Sequence, residues 1–226
     1  MPGVPLPFAD RAVAGRLLAE RLAREPLPAG TVVLAIPRGG VPVAAEVARR
    51  LGLALDLVVV RKVGAPGNPE FAVGAVAADG TSLVEPWAGE EPGLSVAALD
   101  RAVAAEAALA REQEDRLRPG RAPLSLKGAT AIVIDDGIAT GATTEVAVAA
   151  ARRAGAGRTI VAVPVAPPHT VDRLRRVADA VIALAEPPDF YAVGQWYLRF
   201  EQVDDASVIR ALADADRARR REGGAP

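Results

Sequence analysis

Two adjacent acids, Asp135 and Asp136, follow the apolar run Ala131-Ile132-Val133-Ile134 and precede the small-residue run Gly137 to Thr144. Carboxylates accept hydrogen bonds and bind hard cations, so this pair suits sugar hydroxyls or a metal and not a phosphate. The residues after them suit a phosphate. Ala139-Thr140-Gly141-Ala142-Thr143 carry no bulky side chain, so their backbone N–H groups can close around an anion at a helix N-terminus. The Thr hydroxyls add donors. A phosphate cradle thus stands next to two carboxylates.

Basic residues follow two other apolar runs. Pro37-Arg38-Gly39-Gly40 comes after Thr31–Ile36. Its glycines let the backbone approach a ligand closely, and Arg38 offers forked donors for phosphate oxygens. Arg61-Lys62 closes the run Leu55–Val60. Gly64-Ala65-Pro66-Gly67-Asn68-Pro69-Glu70 is rich in Gly and Pro and reads as a loop, with Glu70 either a general base, an orienting group or a solvated charge. Phe190, Tyr191 and Trp196 gather in one short segment of a chain that is 4% aromatic. His169, the one histidine, follows Pro167-Pro168 and reads as a helix start.

These residues need elements to position them. The unalternating run 130–134 suits a central parallel strand covered on both faces. In open α/β sheets ligands bind outside the carboxyl ends of strands, where the acids fall. Helical spacing predicts a first helix over Phe8–Arg24, and helices over Val41–Leu51, Ser95–Arg118, Thr143–Ala154, His169–Val177 and Asp204–Arg220. Strands are predicted over 31–36, 55–60, 130–134, 158–164 and 180–184, and a hairpin joins 71–77 to 81–85 across Ala78-Asp79-Gly80. Glu90–Gly93 reads as a breaker and Arg221–Pro226 as a frayed end. Strands alternating with helices mean an α/β fold with a parallel sheet. Residues 64–127 interrupt the alternation and read as an insertion within one domain spanning 1–226.

The strand, paired acids and Thr-Gly loop resemble the 5-phosphoribosyl-1-pyrophosphate (PRPP) loop of type I phosphoribosyltransferases. Gly137 departs mildly, since an aliphatic residue is usual there. The resemblance implies a parallel sheet of about five strands flanked by helices, a flexible catalytic loop and a small hood over the acceptor. It implies transfer of the 5-phosphoribosyl group from PRPP to a nitrogenous acceptor, with Mg²⁺ and release of pyrophosphate. The loop 139–143 would bind the 5-phosphate, and Asp135 and Asp136 the ribose hydroxyls, directly or through a metal's water shell. Arg38, Gly39, Gly40, Arg61 and Lys62 would bind pyrophosphate, Arg38 from a turn that in the family often holds a cis non-proline peptide, here Pro37–Arg38. Glu70 would lie in the catalytic loop. Phe190, Tyr191 and Trp196, within a hood of about 185–203 completed by the N-terminus, would cover the acceptor. Ala139 stands where hypoxanthine- and guanine-type members carry an acid that contacts the purine, so 6-oxopurines are disfavoured. A homodimer is also implied.

The composition bounds these readings. Half of the 226 residues are hydrophobic, enough for a sizeable core. Lys and Arg total 27 against 28 Asp and Glu, a net charge of −1 that gives no electrostatic footprint for nucleic acid. The absence of cysteine rules out disulfides, zinc thiolates and a Cys nucleophile. Met1–Asp10 lacks the pattern of a signal peptide and no run is long enough to span a bilayer, so a cytoplasmic protein is expected. Two other functions remain open: a regulator that senses PRPP or a nucleotide without turnover, and a phosphatase or phosphosugar-binding protein using the same cradle.

Overall fold

The computed structural model describes residues 4–89 and 94–222, without the side chains of Pro69, Glu70 and Glu222. Glu90–Gly93 and the last residues, 223–226, lie outside the described part. The first helix, α1 (Arg11–Leu22), starts later than Phe8 because Asp10 caps it, its carboxylate accepting from Val13 N at 2.8 Å. There follow β1 (Val32–Ala35), α2 (Gly40–Leu51), β2 (Ala54–Leu57), β3 (Val60–Ala65), β4 (Asn68–Ala77) and β5 (Ser82–Val84). The long helix α3 (Val96–Leu117) is capped by Ser95, and then come β6 (Thr130–Ile134), α4 (Ala142–Arg153), β7 (Arg158–Val165), α5 (Pro168–Leu174), β8 (Ala180–Ala185) and α6 (Asp205–Glu222).

Five strands form a parallel sheet in the order β2-β1-β6-β7-β8. Every side chain of β1 and β6 is buried, which explains why their sequences do not alternate. One face packs Val33, Ala35, Ile132 and Ile134 against α1, α2 and α6 residues such as Leu18, Val43 and Val208. The other packs Leu34, Val133 and Val161 against α4 and α5 residues such as Val146, Ala147 and Leu174. The chain runs outward from β1 to β2 on one side and from β6 to β7 on the other. A crevice therefore opens between the carboxyl ends of β1 and β6, where the order reverses.

The second strand differs from the sequence reading. The run 55–60 is not one strand ending at Arg61-Lys62. Val58 still donates to Ala35 O of the parallel sheet, but Val59 O accepts from Ala78 of a different sheet. β3, β4 and β5 make that separate antiparallel sheet. Continuous apolarity conceals such a switch, because both segments are buried. The predicted loop 64–70 is likewise a tight hairpin. Ala65 pairs with Asn68 across Pro66-Gly67, with Gly67 at φ 85°, the turn geometry that Pro-Gly favours. The hairpin across Ala78-Asp79-Gly80 forms as predicted, as β4 and β5.

A buried charge network fixes the end of the insertion. Asp56, only 2% exposed, accepts from Arg118 at 3.0 Å, Arg121 at 2.7 Å and Leu124 N at 2.7 Å. The carboxylate is fully partnered, as burial requires.

Candidate functional site

The acids stand where β6 ends, and the Pro37–Gly40 turn of β1 docks directly against them. Ile36 N donates to Ile134 O at 2.9 Å. A methyl on Gly40 would lie 2.7 Å from Ile134 O and 2.8 Å from Asp135 Cα. One on Gly39 would overlap Asp136 Oδ2. Both glycines are needed for this approach, and the Pro37–Arg38 peptide is cis. Asp135 Oδ1 accepts from Asp136 N at 2.8 Å. Desolvation first, then the neighbouring Asp136 charge, pushes the Asp135 carboxyl above the usual carboxylate range.

The loop beyond the acids is built for an anion. Gly141, at φ 90°, takes the left-handed conformation at the N-cap of α4. Among the described residues, the N–H groups of 139–143 find no acceptor within the protein. Ala139 and Thr140 are exposed. Fully buried Thr170 of α5 donates to Ala139 O at 2.6 Å, which holds that carbonyl in the protein and away from the N–H groups. Its methyl would lie 3.1 Å from a side chain at Gly141. On the same helix Arg173 binds Glu145 of α4 at 2.7 Å and Glu85, just past β5, at 2.8 Å, tying the hairpin sheet to the loop helix. Thr170 and Arg173 carry no local sequence signal, since each acts through a distant partner.

The basic residues are less converged. Arg38 is about half exposed and reaches Asp205 of α6 at 3.4 Å. Arg61 turns to α3 and pairs with Glu106 at 2.6 Å. Lys62 points to the other face of the hairpin, shared with Val60 and with Ala75 across the strand, the side packed on α4. It is exposed and has no partner among the described residues. Glu70 lies on β4, and its side chain is outside the described part. His169 is exposed in the first turn of α5.

The aromatic segment forms a cap with the N-terminus. Phe8 pairs with Tyr197 as a β-bridge, and their rings lie 5.5 Å apart. Phe190 and Trp196, with ring centroids 6.0 Å apart, pack on the same cluster, while Tyr191 is 89% exposed. Gly137 now has a reason. A side chain there would meet Val193 Cγ1 at 2.6 Å, so glycine lets the cap sit on the strand end. Tyr197, inside the predicted hood, and Arg11, missed in the sequence, join cap to acids. Tyr197 Oη donates to Asp136 O at 2.5 Å, and Arg11 Nε binds Asp136 Oδ2 at 2.7 Å. Burial and Asp136 hold the Tyr197 phenol above its ordinary value. Nothing local marks Arg11, which lies 125 residues from its partner.

The sequence model of the phosphoribosyl transferase domain family matches residues 12–195, from α1 into the cap. The chain belongs to that family. Two curated relatives from Mycobacterium tuberculosis strains, both named "putative phosphoribosyl transferase", are 44% identical over 213 residues, 94% of this chain and 47% of theirs. The chain thus spans about half the length of the curated relatives it matches. The crystal structure of TT1426 from Thermus thermophilus is 47% identical, with a TM-score of 0.78 over 92% of this chain and 98% of that one. Its fold is that of this phosphoribosyl transferase domain. Among the described residues no helix is long and apolar enough to cross a membrane.

Proposed function

We propose that the protein transfers the 5-phosphoribosyl group of PRPP to a nitrogenous acceptor and releases pyrophosphate. The observation that carries this reading is the pairing of a backbone anion cradle, 139–143, with a carboxylate that forms no ion pair among the described residues, Asp135, at one strand end. The cradle N–H groups and the Thr140 and Thr143 hydroxyls fix the 5-phosphate, remote from the chemistry. Asp135, at the same strand end, faces the ribose hydroxyls. The acceptor nitrogen forms a bond to ribosyl C1 as the C1–O bond to pyrophosphate breaks, and the electron pair leaves with pyrophosphate. Gly39 and Gly40 let the backbone approach that leaving group, and Arg38 and Lys62 carry the charge to meet it.

The donor set also suits Mg²⁺. No group of three or more His, Cys, Asp or Glu among the described residues forms a cage. Mg²⁺ commonly binds through one or two carboxylates plus substrate phosphates, and Asp135 supplies the former. When bound, the ion would offset charge on the leaving pyrophosphate. Tyr191, and Phe190 with Trp196 packed beside it, form the acceptor hood of this reading, and Ala139 argues against 6-oxopurines. The same reading makes the protein a cytoplasmic homodimer.

A second reading, a sensor that binds PRPP without turnover, is favoured by Arg38 and Arg61 being paired with Asp205 and Glu106. Incubation with PRPP, Mg²⁺ and a panel of purines, pyrimidines and amines decides between them. Pyrophosphate release with one acceptor is expected. PRPP binding by calorimetry without release on any acceptor supports the sensor, and no PRPP binding overturns both.

A further inference from the structure

Asp135 and Asp136 are neighbours in the chain but do not stand equally in the structure. Asp136 is 8% exposed, and its Oδ2 lies between Arg11 Nε, at 2.7 Å, and the backbone of Gly39. Its carbonyl is taken by Tyr197. Arg11 is itself held on three sides. Its Nε binds Asp136, its Nη1 donates to Glu201 O at 2.7 Å, and its guanidinium carbon sits 3.8 Å from the Phe200 ring centroid. A planar forked cation can do all three at once, and a lysine cannot. Asp135 by contrast forms no ion pair among the described residues, and the Arg11 charge reaches it only from beyond ion-pair distance. Its Oδ1 accepts from the Asp136 N–H, and its carboxyl also lies against the Asp136 side chain.

We propose that Arg11 is a positioning residue that reserves Asp136 for the protein, so that Asp135 alone takes the ribosyl hydroxyls of the ligand. Two bare carboxylates side by side repel each other and an approaching phosphosugar. One cation, buried with one of them, removes half of that charge and leaves the second acid as the acceptor. Glu201 and Phe200 belong to the segment after the cap, so the guanidinium also ties the cap to the strand end. Arg11 therefore acts on the ligand through Asp136 and through the cap, without touching it. The identity of the ligand rests on the transferase reading, and the division between the acids rests on the contacts.

Calorimetric titration of the full chain with ribose 5-phosphate tests this, with inorganic phosphate as a control for the cradle. Asp135→Asn should weaken ribose 5-phosphate about tenfold or more, the loss expected for a hydrogen bond to a charged group, and leave inorganic phosphate unchanged. Asp136→Asn should cost much less. Arg11→Gln, which leaves Asp136 uncompensated, should weaken ribose 5-phosphate, Arg11→Lys should restore part of it, and adding Asp136→Asn to Arg11→Gln should restore most of it. A residue needed only for folding would not be rescued by removing its partner's charge. Equal losses for Asp135→Asn and Asp136→Asn overturn the proposal, as does a double variant whose losses multiply. Should Arg11→Gln not fold, the contrast between the two Asn variants decides alone. Wild type that binds ribose 5-phosphate in this pattern but releases no pyrophosphate from PRPP defeats the transferase reading and leaves the division standing. Wild type that does not bind ribose 5-phosphate defeats both.

Discussion

The two halves of the crevice are built by different means. The half after β6 is made of backbone: N–H groups at a helix start, a glycine at φ 90°, and a carbonyl held by Thr170. The half after β1 and along the hairpin relies on side chains, and these are spread out. Arg38 lies on α6's Asp205, Arg61 on α3's Glu106, and Lys62 is exposed. A backbone cradle is set once the strand and helix are set. A side-chain cluster depends on where each long cation finds its best partner, and solvent-accessible ion pairs of this kind are worth only about 0–1 kcal/mol. The first half is thus fixed by the fold. The second is held weakly enough for an anionic ligand to compete for Arg38 and Arg61.

Breaking the fixed half should have the largest effect. Gly40→Ala places a methyl 2.7 Å from the Ile134 carbonyl and 2.8 Å from Asp135 Cα, backbone that cannot give way. A loss of about 1–3 kcal/mol is expected, as for overpacked cores, read as a lower midpoint in urea together with loss of ribose 5-phosphate binding. Thr170→Val removes the hydroxyl from a buried contact and leaves Ala139 O unpaired. It should cost about 1–3 kcal/mol in denaturant unfolding and weaken inorganic phosphate, whereas Thr170→Ser should retain both.

The acids allow a smaller, pH-dependent test. The folded Asp135 carboxyl holds its proton more tightly than the unfolded one. The native state therefore binds more protons between the ordinary carboxylate value and the raised one. Its contribution to stability is present below the ordinary value and is lost as pH rises through the raised one. Asp135→Asn should flatten this fall and make the ligand-free protein more stable at neutral pH. A wild-type thermal midpoint that does not fall across this range, relative to the variant, counts against it.

The smallest change in stability should come from the weakly held half. Lys62→Ala removes an exposed side chain with no partner among the described residues, so unfolding should move by less than about 0.5 kcal/mol. Pyrophosphate binding should nonetheless weaken. Unchanged pyrophosphate affinity would remove Lys62 from the site and leave that half to Arg38 and the glycine turn.

The sequence by itself determined what local patterns encode. Unbroken apolar runs gave the buried strands predicted at 130–134 and 158–164, and Ser95 marked the start of α3. The paired acids, the small-residue loop and the two glycines were legible because close backbone approach admits few residue types. What needed tertiary structure was everything carried by distant partners. The apolar run 55–60 hides a change of sheet at Val58-Val59, since burial in either sheet asks for the same residues. Gly137 is explained only by Val193 resting on it. The unequal standing of the two acids depends on Arg11, brought to Asp136 by the packing of α1 beneath the cap. Charge pairing across 125 residues leaves no periodicity to read, because it is decided by which elements the core places side by side.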